Sequence, residues 1–155
     1  ELLRVGLKVY SIDPWLHTPH RRWQKSQNRM DKIYNGAVKQ LSKYENSVII
    51  RKTSMDALKD FADESLDFVY IDGCHEFRYF AEDIYEWPKK IRKGGIISGH
   101  DYFTPVQKKT CAVAPILHAY TSWFGIHTWY VLGTKRRNPP GQIRERYRSW
   151  FWIKE

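Results

Sequence analysis

Short apolar runs and amphipathic stretches alternate along the chain, and each kind of run has its own periodicity. Apolar residues at helical spacing predict helices, because positions three or four apart share one helix face. The predicted helices cover 27–44, 55–62, 76–92 and 111–124, and the predicted strands are Leu7–Asp13, Ser47–Lys52, Leu66–Asp72, Gly94–Gly99, His127–Gly133 and Ser149–Glu155. Strands that alternate with helices predict a doubly wound α/β fold.

Local signals set the expected ends and environments of these elements. Ser54 stands where an N-cap should open the second helix. The run LDFVYID has unbroken apolar character, which predicts a strand buried on both faces of a parallel sheet. The third helix is expected to end at Lys93-Gly94-Gly95. The last two strands are expected to form an antiparallel pair that closes the sheet.

Polar residues stand at the ends of several predicted strands. Asp13, Asp72 and Asp101 each lie at or just past a strand's carboxyl end, as does the turn at Ser54. A single Asp after a strand is usually a turn residue. Ligands of doubly wound sheets bind at the carboxyl ends of the strands, so four such features at one edge predict a binding site.

Composition narrows the class of protein. The 155 residues are enough for one domain with a real core, and 42% of them are hydrophobic. No apolar run reaches the roughly 18 residues of a membrane span. The two cysteines, Cys74 and Cys111, form no CxxC motif. This sparse cysteine content favours a reducing, cytoplasmic compartment.

The formal charge of +9 is concentrated in two segments, His20–Lys25 and Lys135–Arg148. A basic protein of this kind either binds nucleic acid or carries a solvated basic surface. The chain has no RNA-binding signature and no helix with a continuous basic stripe. Nucleic acid therefore stays an open but less favoured partner.

A family resemblance rests on four motifs taken in order. They are the strand ending at Asp13, the turn Ser54-Met55-Asp56-Ala57, the motif VYIDGCH and the segment KKIRKGGIISGHDY. Together they resemble class I S-adenosylmethionine-dependent methyltransferases, especially sugar and small-molecule O-methyltransferases and cephalosporin-hydroxylase-like proteins. The likeness covers about 7–154 and implies a single Rossmann-like methyltransferase domain over 1–155.

The resemblance also implies roles for individual residues. Asp13 matches the acid that holds the ribose hydroxyls of S-adenosylmethionine, a diol that a carboxylate binds with two charge-assisted hydrogen bonds. Ser54 and Met55 match the turn that lines the adenine. Asp72 matches the acid beside the methionine and the substrate, where it belongs to both the cofactor-binding and the catalytic set. His75 matches a general base, which a neutral imidazole suits; alternatively, it is a helix-start residue that pairs with a carboxylate.

Metal-dependent relatives bind a divalent cation with acids that follow the same two strands. Asp72 and Asp101 fit that role for Mg²⁺. His100 stands where such relatives often have a second acid, and imidazole is a poorer ligand for Mg²⁺ than for Mn, Fe, Zn or Ni. His100 is otherwise a second acid-base group or a substrate contact.

The function that the resemblance implies is methylation of a hydroxyl on a sugar, glycan or other small molecule. The alternatives are methylation of RNA or another phosphate-rich substrate, and a non-catalytic binding domain that kept the fold. One departure is clear: the chain lacks the first strand and glycine-rich loop of the family and opens at ELLRVG. We therefore expect a fragment of a longer protein. The aromatic runs WYVLG and WFWIKE offer an apolar face for a homodimer.

Overall fold

The computed structural model describes residues 6–17, 26–103, 111–133 and 147–155. Its elements, in chain order, are strand β1 (Val9–Ile12), helix α1 (Gln27–Leu41), strand β2 (Ser47–Ile50), helix α2 (Ser54–Ala57), a 3₁₀ turn (Leu58–Asp60), strand β3 (Leu66–Ile71), helix α3 (Phe77–Lys90), strand β4 (Ile91–Gly99), helix α4 (Val113–Trp123), strand β5 (Tyr130–Leu132) and strand β6 (Ser149–Ile153). Every predicted helix and strand is present. Within the described ranges, no helix has the length and apolar character needed to cross a membrane.

The chain divides into two compact units, a first unit Glu1–Ala57 and a second unit Leu58–Glu155. In the first unit, β1 and β2 pair in parallel, with Val9 opposite Ser47. Helix α1 connects these two strands, as the alternating pattern predicted.

Helix α1 buries little of its predicted apolar face. It begins after Ser26, whose hydroxyl accepts the N–H of Arg29 at 3.3 Å and so satisfies one of the helix's unpaired donors. Met30 is its buried residue, whereas Ile33 is 42% exposed. Hydrophobic packing therefore contributes less in this unit than the helical pattern alone suggests.

Polar contacts tie the loop after β1 to α1. The Gln27 side chain accepts the N–H of His17 at 2.9 Å and donates to the carbonyl of Trp15 at 3.0 Å. Trp15 is buried and packs edge-on against Tyr34, with ring centroids 5.0 Å apart. Hydrogen bonds and one aromatic pair thus hold this loop on the helix.

The second unit contains a four-stranded sheet in the order β3-β4-β6-β5. Strands β3 and β4 are parallel, and β6 pairs antiparallel with both β4 and β5. The predicted antiparallel pair formed by the last two strands of the chain is confirmed.

The core of the second unit lies between this sheet and the helices α3 and α4. Trp150 is fully buried, and its ring packs edge-on against Phe80 of α3 at 6.0 Å. Gly99 of β4 makes this arrangement possible, because a Cβ there would lie 2.3 Å from the Trp150 ring and 2.6 Å from the carbonyl oxygen of Ile71. A bulkier residue at position 99 would push the tryptophan away from the sheet.

Two predictions about the second unit are wrong. Strand β3 is not buried on both faces, since Tyr70 is 49% exposed and Asp67 is also exposed. Helix α3 ends at Lys90 rather than at the glycines, since Ile91 already pairs with Leu66 as the first residue of β4. The glycine pair lies inside that strand, where Gly94 has a φ of +72°.

Candidate active site

The carboxyl ends of β3 and β4 place three polar side chains at one edge of the second unit's sheet. Asp72 directly follows β3, and His100 and Asp101 directly follow β4. Ile71 lies opposite Gly99 in the parallel register, so the two strands end side by side. The predicted position of both acids after their strands is confirmed.

His75 comes to the same edge from the loop between β3 and α3. Its carbonyl accepts the N–H of Ala112 at 2.9 Å, which anchors the loop beside the start of α4. The Nε2 atom of His75 lies 2.7 Å from Oδ2 of Asp101. The two side chains form a hydrogen-bonded acid–imidazole pair, and 31% of the imidazole side chain remains exposed to accept a ligand.

Asp101 is held tightly from several sides. Its residue is 7% exposed, and a buried carboxylate needs a partner of this kind because desolvation is costly. The backbone has a φ of +54°, a left-handed conformation that Asp tolerates better than most residues. Its carbonyl accepts the Cys111 thiol at 3.4 Å. Backbone outliers of this kind cluster at functional sites.

His100 lies between the two acids. Its Nδ1 is 3.6 Å from Oδ1 of Asp72 and 3.6 Å from Oδ2 of Asp101, a distance for electrostatic attraction rather than a hydrogen bond. The backbone N–H of His100 donates to the carbonyl of Ile71 at 3.1 Å, and the backbone carbonyl of His100 accepts the Trp150 indole N–H at 3.1 Å. The buried Trp150 therefore holds the backbone at His100, next to Asp101.

Asp72, His75 and Asp101 each offer one ligand atom, and these atoms all lie within 4.8 Å of one another. Two carboxylate oxygens and one imidazole nitrogen fit a divalent ion such as Mn²⁺ better than Mg²⁺. This group has His75 where the sequence interpretation placed His100. Since the Nε2 atom of His75 already bonds to Asp101, a bound cation would compete with that hydrogen bond.

Apart from Asp72, the candidate cofactor residues lie in the first unit. Asp13 directly follows β1, is exposed, and accepts the N–H of Trp15 through Oδ1 at 2.5 Å. Ser54 and Met55 form the first turn of α2 and are partly exposed. All three stand at the strand or helix ends that the sequence predicted.

The N-cap of α2 is Thr53 and not Ser54. The Thr53 hydroxyl accepts the N–H of Asp56 at 3.2 Å and donates to the Asp56 carboxylate at 2.7 Å. Ser54 is the first residue of the helix itself. The spacing Thr-x-x-Asp, which is typical of a capping box, carried this signal in the sequence.

The structure thus brings Asp72, His75, His100 and Asp101 together within the second unit. That Asp13, Ser54 and Met55 share one site with them stays a prediction. The basic loop segment at 20–25 and most of the segment at 135–148 lie outside the described residues.

The sequence left open that His75 pairs with a carboxylate, and the structure identifies Asp101 as that partner, which no local pattern indicates. A second feature of this site was missed in the sequence. Asp83 is buried on α3, and a Cβ on Gly73 would lie 3.3 Å from its Oδ2 atom, so this acid lies against the Asp72–His75 loop. A signal for Asp83 was available, because it interrupts the apolar helix face formed by Phe80, Ile84 and Trp87.

Solved structures with a similar fold include two named methyltransferases. One is a tRNA (m1A58) methyltransferase from Aquifex aeolicus, with a TM-score of 0.55 and 13% identity, for which the match covers 96% of this chain and 53% of that chain. The other is an S-adenosylmethionine-dependent O-methyltransferase from Thermotoga maritima, with a TM-score of 0.53 and 14% identity, covering 99% and 53%. At this identity the likeness shows the fold, which is the Rossmann-like α/β fold that the sequence predicted.

A curated relative and a family model extend this result. An uncharacterised protein of Sinorhizobium fredii is 26% identical over 98 residues, which are 63% of this chain and 10% of the relative. The chain therefore spans about a tenth of that relative and about half of the solved structures. The family model described as a methyltransferase domain matches residues 1–102, about two thirds of the chain. The chain belongs to this methyltransferase domain family.

Proposed function

We propose that this chain is part of an S-adenosylmethionine-dependent methyltransferase that methylates a hydroxyl group of a sugar or another small molecule. The observation that carries this proposal is the His75–Asp101 pair at the carboxyl edge of β3 and β4, with Asp72 and His100 beside it. Such a pair is a general base next to an oriented carboxylate, which is what removal of a hydroxyl proton needs.

Asp101 would decide which imidazole nitrogen of His75 carries the proton. With Nε2–H donating to the carboxylate, Nδ1 is the imidazole nitrogen that accepts the hydroxyl proton. The carboxylate stabilises the imidazolium that forms, as in other acid–histidine pairs. The acceptor oxygen would bond to the methyl carbon as the carbon–sulfur bond breaks, with its electron pair going to sulfur and the proton going to His75. Asp101 is thus a positioning residue.

S-adenosylmethionine supplies the methyl group on a positively charged sulfur, which leaves as a neutral thioether. We assign its ribose hydroxyls to Asp13, its adenine to Ser54 and Met55, and its methionine end to Asp72. The exposed carboxylate of Asp13 supports its part of this assignment. Its hydrogen bond to the Trp15 N–H uses one oxygen, and the carboxylate has further acceptor positions for a diol.

A divalent cation would be held by Asp72 and Asp101, with His75 or His100 as the nitrogen ligand, and only the set with His100 leaves His75 available as the general base. When bound, it would lower the cost of deprotonating the acceptor hydroxyl. The presence of imidazole in either set makes Mn²⁺ the better candidate than Mg²⁺. Titration with Mn²⁺ alone, followed by electron paramagnetic resonance, would test this assignment without any assay of activity.

The second candidate function is methylation of RNA or another phosphate-rich substrate. The net charge of +9 favours it, and one of the structurally similar proteins is a tRNA methyltransferase. Counterion release would make RNA binding fall steeply as salt rises. Weak, salt-independent association with RNA would leave the small hydroxyl acceptor as the better proposal.

The free thiols of Cys74 and Cys111 support a reducing, cytoplasmic location.

The deciding experiment is calorimetric titration of S-adenosylmethionine into the protein encoded by the full gene. An Asp13→Ala variant should bind about 10- to 100-fold more weakly, because charge-assisted hydrogen bonds contribute roughly 1.5–3 kcal/mol. Asp13→Asn is the matched control, since its amide oxygen still accepts the Trp15 N–H but its negative charge is gone.

The outcomes separate the proposals. Weaker binding in both variants assigns the loss to the charge and not to the turn. Unchanged binding in both would remove Asp13 from the cofactor site. No binding by a folded full-length protein would overturn methyl transfer, and a non-catalytic domain with this fold would become the better account.

A further inference from the structure

The carboxylate of Asp13 stands on a turn that other residues of the first unit hold in place. Asp13 directly follows β1, and its N–H donates to the carbonyl of Ile50 at the end of β2 at 3.3 Å. Its Oδ1 atom accepts the N–H of Trp15, which closes an Asx turn. We call residues 13–17 the Asp13 turn. Asp13 is exposed, so burial in a core does not orient its side chain.

The backbone of the Asp13 turn is strained at Trp15. This residue has a φ of +43° and is 7% exposed. A left-handed conformation is uncommon for residues other than glycine and is an outlier for a bulky one. Such strain persists only where the surrounding structure over-determines it, and it is concentrated at catalytic and ligand-binding sites. The contacts that hold Trp15 in this conformation therefore bear on the function of the turn.

Gln27, the first residue of α1, binds the Asp13 turn at two points. Its side-chain amide donates to the carbonyl of Trp15 at 3.0 Å, and its amide oxygen accepts the N–H of His17 at 2.9 Å. The same amide nitrogen donates to Oδ1 of Asp31 at 3.0 Å, which limits rotation of the Gln27 side chain. One ordered side chain thus bridges two backbone positions of the turn.

Arg51 reaches the Asp13 turn from the other strand. It directly follows β2, and its guanidinium lies 3.5 Å from the carbonyl oxygen of Pro14 and 3.4 Å from that of Trp15. Arg51 also forms an ion pair with Asp31 and lies over the Tyr34 ring at 4.6 Å. These contacts hold the guanidinium against the turn, where a planar, forked group can serve two carbonyls at once.

We propose that Gln27 and Arg51 are positioning residues that preorganise the Asp13 carboxylate for the ribose of the cofactor. This inference rests on the proposed role of Asp13. The Trp15 N–H fixes Oδ1, and Gln27 and Arg51 fix the Trp15 carbonyl, so the carboxylate presents one orientation to a vicinal diol. Ordering a free side chain at the moment of binding lowers affinity, and a turn that is already ordered avoids that loss.

The test is calorimetric titration of S-adenosylmethionine into the full-length protein and its variants. Gln27→Met keeps the size of the side chain but removes its hydrogen bonds, and it should weaken binding by about 3- to 10-fold. Arg51→Lys keeps the charge beside Asp31 but loses the planar fork, and it should weaken binding less. Circular dichroism checks that both variants keep their fold.

Asn46→Ala is the matched control. The Asn46 side-chain amide donates to the carbonyl of Leu7 at 2.6 Å, which is the same kind of bond before the start of β1 rather than after its end. This variant should lose stability much as Gln27→Met does, yet bind the cofactor like the wild type. Equal weakening of cofactor binding by the two variants would overturn the proposal, because it would assign the effect to the stability of the unit.

A double-mutant cycle between Gln27 and Asp13 separates this proposal from the cofactor assignment. If Gln27 acts through the carboxylate, Gln27→Met should change binding by less than about 2-fold once Asp13 is replaced by alanine. An equal loss in both backgrounds would overturn the positioning role, and so would wild-type affinity in both Gln27→Met and Arg51→Lys. Wild-type affinity in Asp13→Ala would instead overturn the cofactor assignment, and the positioning role with it.

Discussion

The two units of the chain place their polar residues in opposite ways. In the first unit, Asp13 is an exposed residue that accepts the N–H of Trp15, two residues further along. In the second unit, Asp101 is buried and bonds to His75, which comes from a different loop. The first arrangement needs only a local turn, and the second needs a folded sheet.

This difference follows from how each unit is stabilised. The first unit relies on side-chain hydrogen bonds and ion pairs around Gln27, Asp31 and Arg51, with Trp15 and Met30 as its main buried side chains. The second unit packs Trp150, Ile97 and Leu117 at full burial. A rigid core can hold a pair of side chains in fixed geometry, whereas an exposed turn residue keeps more freedom to move. The second unit therefore contains a polar pair fixed by tertiary packing, and the first unit contains a polar residue fixed only through its own turn.

The largest expected effect is on turnover. In the full-length protein, His75→Ala should lower kcat by about 10²- to 10⁴-fold, because the proposed general base is lost, and should leave S-adenosylmethionine affinity near the wild-type value. The measurement is methyl transfer to an acceptor found among sugars and small hydroxyl compounds, together with calorimetry of the cofactor.

His127→Ala is the control, since His127 is exposed and does not belong to the group formed by Asp72, His75 and Asp101. Its kcat should match that of the wild type. The pH profile of Asp101→Asn adds a readout of positioning, since loss of the carboxylate should shift the titrating limb of kcat. Equal kcat for His75→Ala and His127→Ala would contradict the proposed role of His75 as the general base.

The next effect is on stability and compares one glycine from each unit. Gly99→Ala should destabilise the second unit by about 1–3 kcal/mol, because the new Cβ would overlap the Trp150 ring and the Ile71 carbonyl. Gly36→Ala in α1 meets nothing within 4 Å and should stabilise the first unit by up to about 1 kcal/mol, since glycine is a poor helix former.

Denaturant unfolding of each variant checks this pair. Similar free energies of unfolding for both would show that the Trp150 packing is less tight than its contacts indicate. Destabilisation by Gly99→Ala without destabilisation by Gly36→Ala would support the difference between the tightly packed second unit and the more exposed first unit.

The smallest effect is a pH dependence in the first unit. The hydrogen bond from Arg51 lowers the pKa of the Asp31 carboxyl, and the hydrogen bond from Gln27 lowers it further. A carboxyl with a depressed pKa stabilises the fold above its unfolded-state pKa, and this contribution is lost as pH falls through the folded pKa. Wild-type stability should therefore fall below about pH 4 more than that of Asp31→Asn.

Unfolding midpoints in urea at neutral pH and at about pH 3 measure this difference. Glu82→Gln, which breaks the exposed α3 pair with Arg78, is a control in the second unit. Parallel pH curves for wild type and Asp31→Asn would show that the Arg51 bridge does not stabilise the first unit.

Much of the fold was readable from the sequence because its signals are local. Helical spacing located α1, and the apolar runs located β3 and β4 to within a few residues. The acids after those strands were placed correctly for the same reason, since a strand end is a local feature. The misassigned cap at Ser54 had a local answer as well, in the Thr53-x-x-Asp56 spacing.

The sequence by itself determined the elements, the order in which they occur and the acids at their ends, because 3.6- and 2-residue periodicities and turn residues act over a few positions. Only the tertiary structure decided that Asp101 pairs with His75 and that β3 has an exposed face. Those outcomes depend on which strands become neighbours and on what covers them. Pairing between distant segments leaves no periodic trace in either one, so it emerges only when the sheet brings their ends together.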